Sequence, residues 1–241
     1  FSYYVGSSAT GAGTATAPTN AGTYTAVAGF AGSANYVAAQ SAPVTFTIAQ
    51  TASAVTAADA GGTFNGQSFA ATIQVAGLSG IYGPSLEGVS PTATYYVGSS
   101  ASGTGVAVAP SNAGIYTVVG SFAGSANYGP SESTPVTFTI AQAAPTVVAE
   151  AVGGTYDGSS FAATAAIAGV VVGIDDTPAA SLEGVGLTFT YYEGASATGP
   201  GVSAAPSAAG TYTVVASFAG STDYAAADSA PVTFTVAQAA P

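Results

Sequence analysis

The stretch that decides the fold runs from Gly114 to Gln142 and reads GIYTVVGSFAGSANYGPSESTPVTFTIAQ. Two further copies of it occupy residues 22–50 and 210–238. All three copies share a Gly-x-Tyr opening, a Phe-Ala-Gly-Ser turn, a Pro-Val-Thr-Phe-Thr run and a closing Ala-Gln. The chain is therefore a tandem array of related units.

Both halves of this stretch alternate between apolar and polar residues with a period of two, which is typical of a strand with one buried face. We predict that Tyr116 and Val118 point inward from the first strand and that Phe138 points inward from the return strand. Threonines such as Thr139 should coat the outer face. The Gly, Ser, Asn and Pro residues of segment 123–130 predict the loop between the two strands.

Tyrosine pairs give the length of the repeat, because they begin at Tyr3, Tyr95 and Tyr191 and are therefore 92 and 96 residues apart. The four extra residues of the last interval fall between Phe161 and Leu182, in the sequence VVVGIDDTPAAS. Length variation at one place predicts a surface loop there.

These intervals divide the chain into four parts. Residues 1–50, the first unit, correspond to the C-terminal half of a repeat. Residues 51–142 and 143–238 are complete repeats, called the second and third repeats below. Residues 239–241 match the start of a following repeat or linker. The junctions are only about three residues long, which predicts a stiff, extended array.

The composition predicts an all-β protein. Short alternating runs rich in Thr, Val and Tyr, separated by some of the 32 glycines and 13 prolines, favour antiparallel β-sandwiches, and no stretch has helical spacing with caps. In the second repeat we predict strands at residues 53–58 and 69–76. Asn65-Gly66 between them has the signature of a tight hairpin turn.

The charge inventory excludes several functions. The chain has no Lys, Arg or His and has eleven acidic residues, giving a formal net charge of -11. Nucleic-acid binding and binding to anionic membranes are disfavoured, because both depend on Lys and Arg.

No apolar run is long enough to span a bilayer, so we predict no membrane insertion in this segment. Cysteine is absent, which excludes disulfides and thiolate sites.

Most enzyme chemistry is also excluded by composition. Catalytic triads, thiol chemistry and Schiff-base chemistry need residue types that the chain lacks. Only carboxylate catalysis remains, and the recurring pair, Glu87 and Glu183, lies in two different repeats. Asp223 corresponds to Asn127, which suggests that an amide serves equally well there. We therefore expect no enzyme activity.

Calcium is the one cofactor that the sequence leaves open. Asp175 and Asp176 lie in the longer loop with Glu183 nearby, and calcium prefers such oxygen ligands. The alternative is a solvated acidic loop, because the spacing lacks the dense Asp-x-Asp-x-Asp-Gly pattern of a dedicated site.

Tyrosines offer one structural and one binding interpretation. Tyr24, Tyr116 and Tyr212 follow the Gly-x-Tyr spacing of a tyrosine corner, in which the hydroxyl caps backbone groups across the sandwich. Carbohydrate stacking is the rival interpretation, and the second residue of each tyrosine pair is better placed for it because alternation turns it outward. The candidates for glycan contact are Tyr96 and Tyr192.

Several motifs together resemble bacterial immunoglobulin-like repeats of the MBG and YDG type. They are NAGTYT, NAGIYT and AAGTYT, each followed by FAGSANY or FAGSTDY and by PVTFT, together with GGTYDGSSF at residues 153–161. The resemblance covers the whole chain and implies tandem immunoglobulin-like sandwiches in large secreted or surface-anchored bacterial proteins, where they act as stalks, adhesin segments or matrix material. The chain departs from some such domains in lacking Lys, which excludes Lys–Asn isopeptide crosslinks.

The sequence therefore predicts a non-catalytic extracellular stalk or fibre that self-associates along a repetitive polymer or filament. The alternative is an adhesin whose repeats bind surface glycans directly. Because residues 1–50 lack the strands of a first half-repeat, we also expect this chain to be a window cut from a longer polymer. Donation of the missing strands by another subunit would instead give a head-to-tail filament.

Overall fold

A computed structural model describes all residues, 1–241, and its regular structure consists entirely of β-strands. The prediction of an all-β protein is therefore confirmed. No helix in the structure has the length and apolarity needed to cross a membrane. No sheet combines strands from two of the three units, so each unit makes its own set of strand pairs.

The first unit contains five strands: β1 (Ser2–Val5), β2 (Gly22–Val27), β3 (Gly29–Phe30), β4 (Ala39–Gln40) and β5 (Val44–Ile48). Strands β1, β2 and β5 form a three-stranded antiparallel sheet with β2 in the middle. Strands β3 and β4 form a separate short pair.

The second repeat adds strands that have no counterpart in the first unit. Its strands are β6 (Ala54–Ala58), β7 (Gly62–Thr63), β8 (Thr72–Ala76), β9 (Thr92–Val97), β10 (Gly114–Phe122), β11 (Ser131–Glu132) and β12 (Val136–Ala141). Strand β10 is central in the larger sheet and pairs with β9, β11 and β12. Strands β6 and β8 form a two-stranded sheet of their own.

The third repeat follows the same plan. Its strands are β13 (Thr146–Glu150), β14 (Gly154–Thr155), β15 (Thr164–Ala168), β16 (Ser181–Leu182), β17 (Val185–Glu193), β18 (Gly210–Phe218), β19 (Ala227–Asp228) and β20 (Val232–Ala237). Strand β18 is central in the larger sheet, and β13 pairs with β15 in the small one.

The core lies between the two sheets of each complete repeat. Tyr116 is directly opposite Phe138 in the antiparallel ladder, and their ring centroids are 5.8 Å apart. Phe138 and its third-repeat equivalent Phe234 are buried, as predicted. Val118 of β10 is fully buried on the same face. The inward face read from the alternation is therefore confirmed in both complete repeats.

We predicted that Asn65-Gly66 joins two strands that pair with each other as a hairpin, and this prediction is wrong. A turn does form there, because the Asn65 side-chain oxygen accepts a hydrogen bond from the Gln67 N–H at 2.9 Å. However, β7 before the turn pairs in parallel with β12, whereas β8 pairs with β6. The second of the two strands also begins at Thr72, three residues later than predicted.

Glycine permits the crossing of the chain from one sheet to the other. A Cβ atom on Gly61 would lie 2.1 Å from the carbonyl oxygen of Thr139, so only glycine allows β7 to approach β12 this closely. Gly153 is in the same relation to Thr235 in the third repeat. This contact joins residues that are far apart in sequence, and local turn signals therefore did not reveal it.

The outer face of the larger sheet is less exposed than the threonine pattern suggested. Thr117 is fully buried, donates a hydrogen bond to the carbonyl oxygen of Gly98 at 2.9 Å and lies 3.1 Å from the hydroxyl of Thr137. The turn after β9 therefore covers this part of the face. Thr25 and Thr213 are buried in the same way in the other two units.

Candidate functional site at the repeat junctions

The first junction, between the first unit and the second repeat, is tied to the predicted 123–130 loop. The Gln50 side-chain amide donates to the carbonyl oxygen of Ser125 at 2.8 Å. The Thr51 N–H donates to the carbonyl oxygen of Asn127 at 3.0 Å, and the Gly129 N–H donates back to Thr51 at 2.9 Å. The linker is therefore an ordered part of the second repeat.

The second junction, between the second and third repeats, repeats this construction. The Gln142 side-chain amide donates to the carbonyl oxygen of Ser221 at 2.8 Å. The Ala143 N–H donates to the carbonyl oxygen of Asp223, and the Ala225 N–H donates to that of Ala143, both at 2.9 Å. Both junctions are thus built by the same backbone pairing.

Glu87 and Glu183 are the only residues other than glycine with a positive φ, 50° in each case. Each occupies a tight turn before a glycine, in a backbone region that residues with a Cβ seldom adopt. The Glu87 carboxylate accepts hydrogen bonds from the Ser125 hydroxyl at 2.6 Å and the Asn127 N–H at 2.9 Å. The Glu183 carboxylate accepts from the Asp223 N–H at 3.0 Å. Both glutamates therefore hold the junction loop in place.

The residue whose N–H binds each glutamate also reaches the preceding unit through its own side chain. Asn127 accepts a hydrogen bond from the Ala21 N–H of the first unit at 2.7 Å. Asp223 accepts one from the Ala113 N–H of the second repeat at 2.5 Å. The sequence comparison paired Asn127 with Asp223 but did not indicate that both bridge adjacent units.

An apolar contact reinforces the second junction. The ring of Phe64 in the second repeat meets the ring of Tyr224 in the third edge-on, with centroids 5.4 Å apart. Val171, from the longer loop of the third repeat, packs against Gly66 and is buried. The inserted loop is thus partly an interdomain element, although Val172 and Ile174 within it are exposed as expected for a surface loop.

The candidate calcium ligands are engaged with other groups. The Asp175 carboxylate accepts hydrogen bonds from the Tyr224 hydroxyl at 2.5 Å and the Val171 N–H at 2.8 Å. The Asp176 carboxylate accepts from the Gly173 N–H at 2.9 Å. No group of three or more acidic side chains in the structure is arranged to hold a metal ion. The geometry therefore does not bring Asp175, Asp176 and Glu183 together as a set.

Tyr224 is fully buried at this place. Burial, and next the hydrogen bond to Asp175, raise the pKa of its phenol to about 12. The bond from the Val170 N–H, at 3.0 Å, opposes this shift. The hydroxyl is therefore a neutral hydrogen-bond donor over the whole ordinary pH range.

The candidate glycan tyrosines lie on the outer face of the larger sheets. The rings of Tyr96 and Tyr192 lie close to Gly105 and Gly201, so one side of each ring is covered by a loop of its own repeat. Tyr192 also lines an open groove of about 270 Å³, together with Tyr191, Glu193, Val202, Pro206 and Tyr212.

The proposed tyrosine corners bond to backbone groups, but the prediction that they do so across the sandwich is wrong. The hydroxyl groups of Tyr24, Tyr116 and Tyr212 each donate at 3.0 Å to a backbone carbonyl four residues earlier in the chain. The contact is local, within the loop that leads into the central strand. These three tyrosines are therefore structural in all three units.

The first unit presents an uncovered apolar face. Phe30 is 50% exposed, while its equivalents Phe122 and Phe218 are 1% and 2% exposed. Val44 is 63% exposed. In the complete repeats this face is covered by the two-stranded sheets β6–β8 and β13–β15, which the first unit lacks.

Comparisons with known proteins assign no family or function to the chain. No protein-family model matches it, and the search of curated proteins finds no significant match.

Proposed function

We propose that the chain is a non-catalytic structural protein, a segment of an extracellular stalk or fibre built from tandem immunoglobulin-like sandwiches of the MBG/YDG type. The observation that carries the proposal is the construction of the junctions. Linkers of a few residues are hydrogen-bonded into the following repeat at both places, and each junction has a side chain that crosses to the preceding unit. Such joints favour a stiff and extended array.

The strand pattern supports the immunoglobulin-like part of the proposal. Each complete repeat has a small antiparallel sheet facing a larger one, and a tyrosine near the start of the central strand bonds back to the backbone. A short strand also pairs in parallel with the last strand of each repeat. The recurrence of these features supports a repeated unit whose role is architectural.

Small-angle X-ray scattering of the full chain tests the stalk or fibre. We expect a maximum dimension near that of two repeats and a half placed end to end, unchanged between low and high salt because no side-chain ion pairs are available. Replacement of Gln142 and Ala143 by a long Gly-Ser linker is the matched control and should increase flexibility. A compact particle, or one that the linker leaves unchanged, would contradict the proposal.

The groove beside Tyr192 favours one second candidate, a glycan-binding adhesin. An aromatic ring next to a carboxylate can stack on a sugar and bond to its hydroxyls, and Tyr192 and Glu193 line this groove together. A glycan array with the full chain tests this function. Binding that is lost in Tyr192→Ala and retained in Tyr4→Ala would favour the adhesin, and no binding to any glycan would favour the stalk or fibre.

A further inference from the structure

The two junctions have the same construction but differ in one side chain. At the first, the Asn127 side chain accepts a hydrogen bond from the Ala21 N–H through its oxygen. Its amide nitrogen donates to the second carboxylate oxygen of Glu87 at 2.6 Å. A neutral side chain with one acceptor and one donor therefore links the first unit, the loop and the glutamate.

At the second junction Asp223 takes the place of Asn127. One of its oxygens accepts the hydrogen bond from the Ala113 N–H. The Asp223 N–H donates to the Glu183 carboxylate at 3.0 Å, so the two acidic side chains lie next to each other. Ionised carboxylates offer only acceptor oxygens, so a direct hydrogen bond between these two side chains would require a proton on one of them. The Asp223–Glu183 contact is thus the acidic counterpart of the Asn127–Glu87 contact.

Nothing near this contact can neutralise two negative charges. The chain contains no Lys, Arg or His. The other titratable groups that face Asp223 or Glu183 are Tyr116 of the second repeat and Tyr224 of the third, and neither can carry a positive charge. Asp223 is only 5% exposed, and the Phe64–Tyr224 and Val171–Gly66 contacts lie at the same junction. Two buried carboxylates side by side would repel each other.

We propose that the second junction is a pH-sensitive joint, closed when Asp223 and Glu183 share one proton and loosened when both are ionised, whereas the first junction stays closed throughout. The joint deepens the proposed structural role by giving the array one place where its stiffness changes. The functional importance of this joint rests on the proposed structural role. The contact between Asp223 and Glu183 itself does not, because it is present whether the array is a stalk or an adhesin.

The directions of the pKa shifts agree with this geometry. Burial raises the pKa of Asp223, the bond from the Ala113 N–H opposes that, and the contact with Glu183 raises it further, with a net increase. Burial also acts to raise the pKa of Glu183, but hydrogen bonds from the 221–223 loop outweigh it and the net shift is downward. Asp223 is therefore the group that holds the proton.

The sign of the pH dependence follows from these shifts. Closing the junction buries Asp223, and burial is the largest cause of its raised pKa. The closed junction therefore binds the Asp223 proton more tightly than the open one, and this contribution is lost as the pH rises through the raised value. The hydrogen bonds that lower the pKa of Glu183 all come from its own repeat, so they do not change when the junction opens. Closure is therefore most favourable at acidic pH and weakens toward neutral pH.

Distance measurements between spin labels can test the joint in the full chain, because the absence of native cysteine leaves labels only at introduced positions. Ser100→Cys with Ser196→Cys reports on the second junction, and Ser8→Cys with Ser100→Cys reports on the first. All three serines are exposed and occupy equivalent places in their units. Between about pH 4 and pH 8 we expect the second distance distribution to broaden and the first to stay unchanged.

Two variants provide matched controls. Asp223→Asn should keep the second distribution narrow at every pH, because the amide supplies the missing donor. Asn127→Asp should make the first junction broaden with rising pH, by a smaller amount since Asn127 is only half-buried. A second junction that does not broaden, or that still broadens in Asp223→Asn, would overturn the proposal. Loss of the pH response in Asp223→Asn would support the joint even if scattering showed that the array is not extended.

Discussion

The first unit and the two complete repeats carry nearly the same face on their central sheet but bury it differently. Phe30 is half exposed, whereas Phe122 and Phe218 at the equivalent place are buried almost completely. The sequence around these residues is the same in all three, Phe-Ala-Gly-Ser. The difference therefore comes from the covering strands β6–β8 and β13–β15, and the alternation of a strand specifies a face but not its burial.

The largest expected effect tests this difference with the same substitution in covered and uncovered units. Phe138→Ala and Phe234→Ala should each destabilise their own repeat by about 3 to 5 kcal/mol, because they leave a cavity in a closed core. Phe46→Ala should cost the first unit only about 1 to 2 kcal/mol, since Phe46 is half-buried there. Denaturant-dependent hydrogen exchange, resolved by unit, measures the three values.

A fusion sharpens that prediction. Placing a copy of residues 51–92 ahead of Phe1 supplies the strands that cover the face in the second repeat. In this fusion the cost of Phe46→Ala should rise to that of Phe138→Ala. Equal costs without the fusion, or no increase with it, would show that the covering strands do not determine the burial energy.

The next effect concerns a hydrogen bond that only complete repeats make. The Tyr95 and Tyr191 hydroxyls accept bonds from the N–H groups of Ala71 and Ala163, both at 2.8 Å. Tyr95→Phe and Tyr191→Phe should cost about 1 to 3 kcal/mol, because they leave a backbone donor unpaired. Tyr3→Phe should be close to neutral, since the Tyr3 hydroxyl has no such partner. Thermal melts of the three variants would separate them, and a cost for Tyr3→Phe equal to the others would count against this interpretation.

The difference between the first unit and the complete repeats should disappear for substitutions on the outer face of the sheet. Thr25, Thr117 and Thr213 make the same hydrogen bonds to a turn carbonyl and to a neighbouring threonine in all three units. Substitution of each by Val should therefore cost the same, about 1 kcal/mol, even in the first unit. Values from urea unfolding that are much lower for Thr25→Val would mean that the first unit is loosened on both faces.

The smallest expected effect is that of a chelator. Because Asp175 and Asp176 bond to a tyrosine and to backbone N–H groups, EDTA should leave the unfolding temperature of the third repeat unchanged. A chain with Asp176→Asn is the control for any effect of the buffer. A drop in unfolding temperature that is restored by added calcium would revive the calcium hypothesis.

The sequence predicted the features that depend on local patterns. Alternation identified the inward positions of Phe138 and Phe234, and turn residues predicted the 123–130 loop. The Gly-x-Tyr motif predicted that the Tyr116 hydroxyl bonds to the backbone, although not that its partner is local. Each of these signals involves residues that are close in the chain and experience the same constraint in every copy.

The rest depended on contacts between distant residues. The pairing of β7 with β12 rests on the close approach of Gly61 to Thr139, which no local rule encodes. The role of Asn127 was missed because internal comparison treated amide and carboxylate as interchangeable there, and the role of Glu87 was missed because it was considered only as a catalytic carboxylate. The positive φ of Glu87 was not predicted either. The Glu-Gly pair at residues 87–88 was the sequence signal that could have indicated a tight turn there.

The backbone pairing at Thr51 and Ala143 has a mechanical consequence. Tension along the chain enters each complete repeat at a residue that is already tied to a loop of that repeat, so the load reaches the folded body without stretching a slack tether. Rupture of a junction would release only about 10 Å of chain, from its roughly three residues, whereas unravelling of a repeat of 92 residues would release on the order of 300 Å. The array would therefore extend very little under load until an entire repeat gave way.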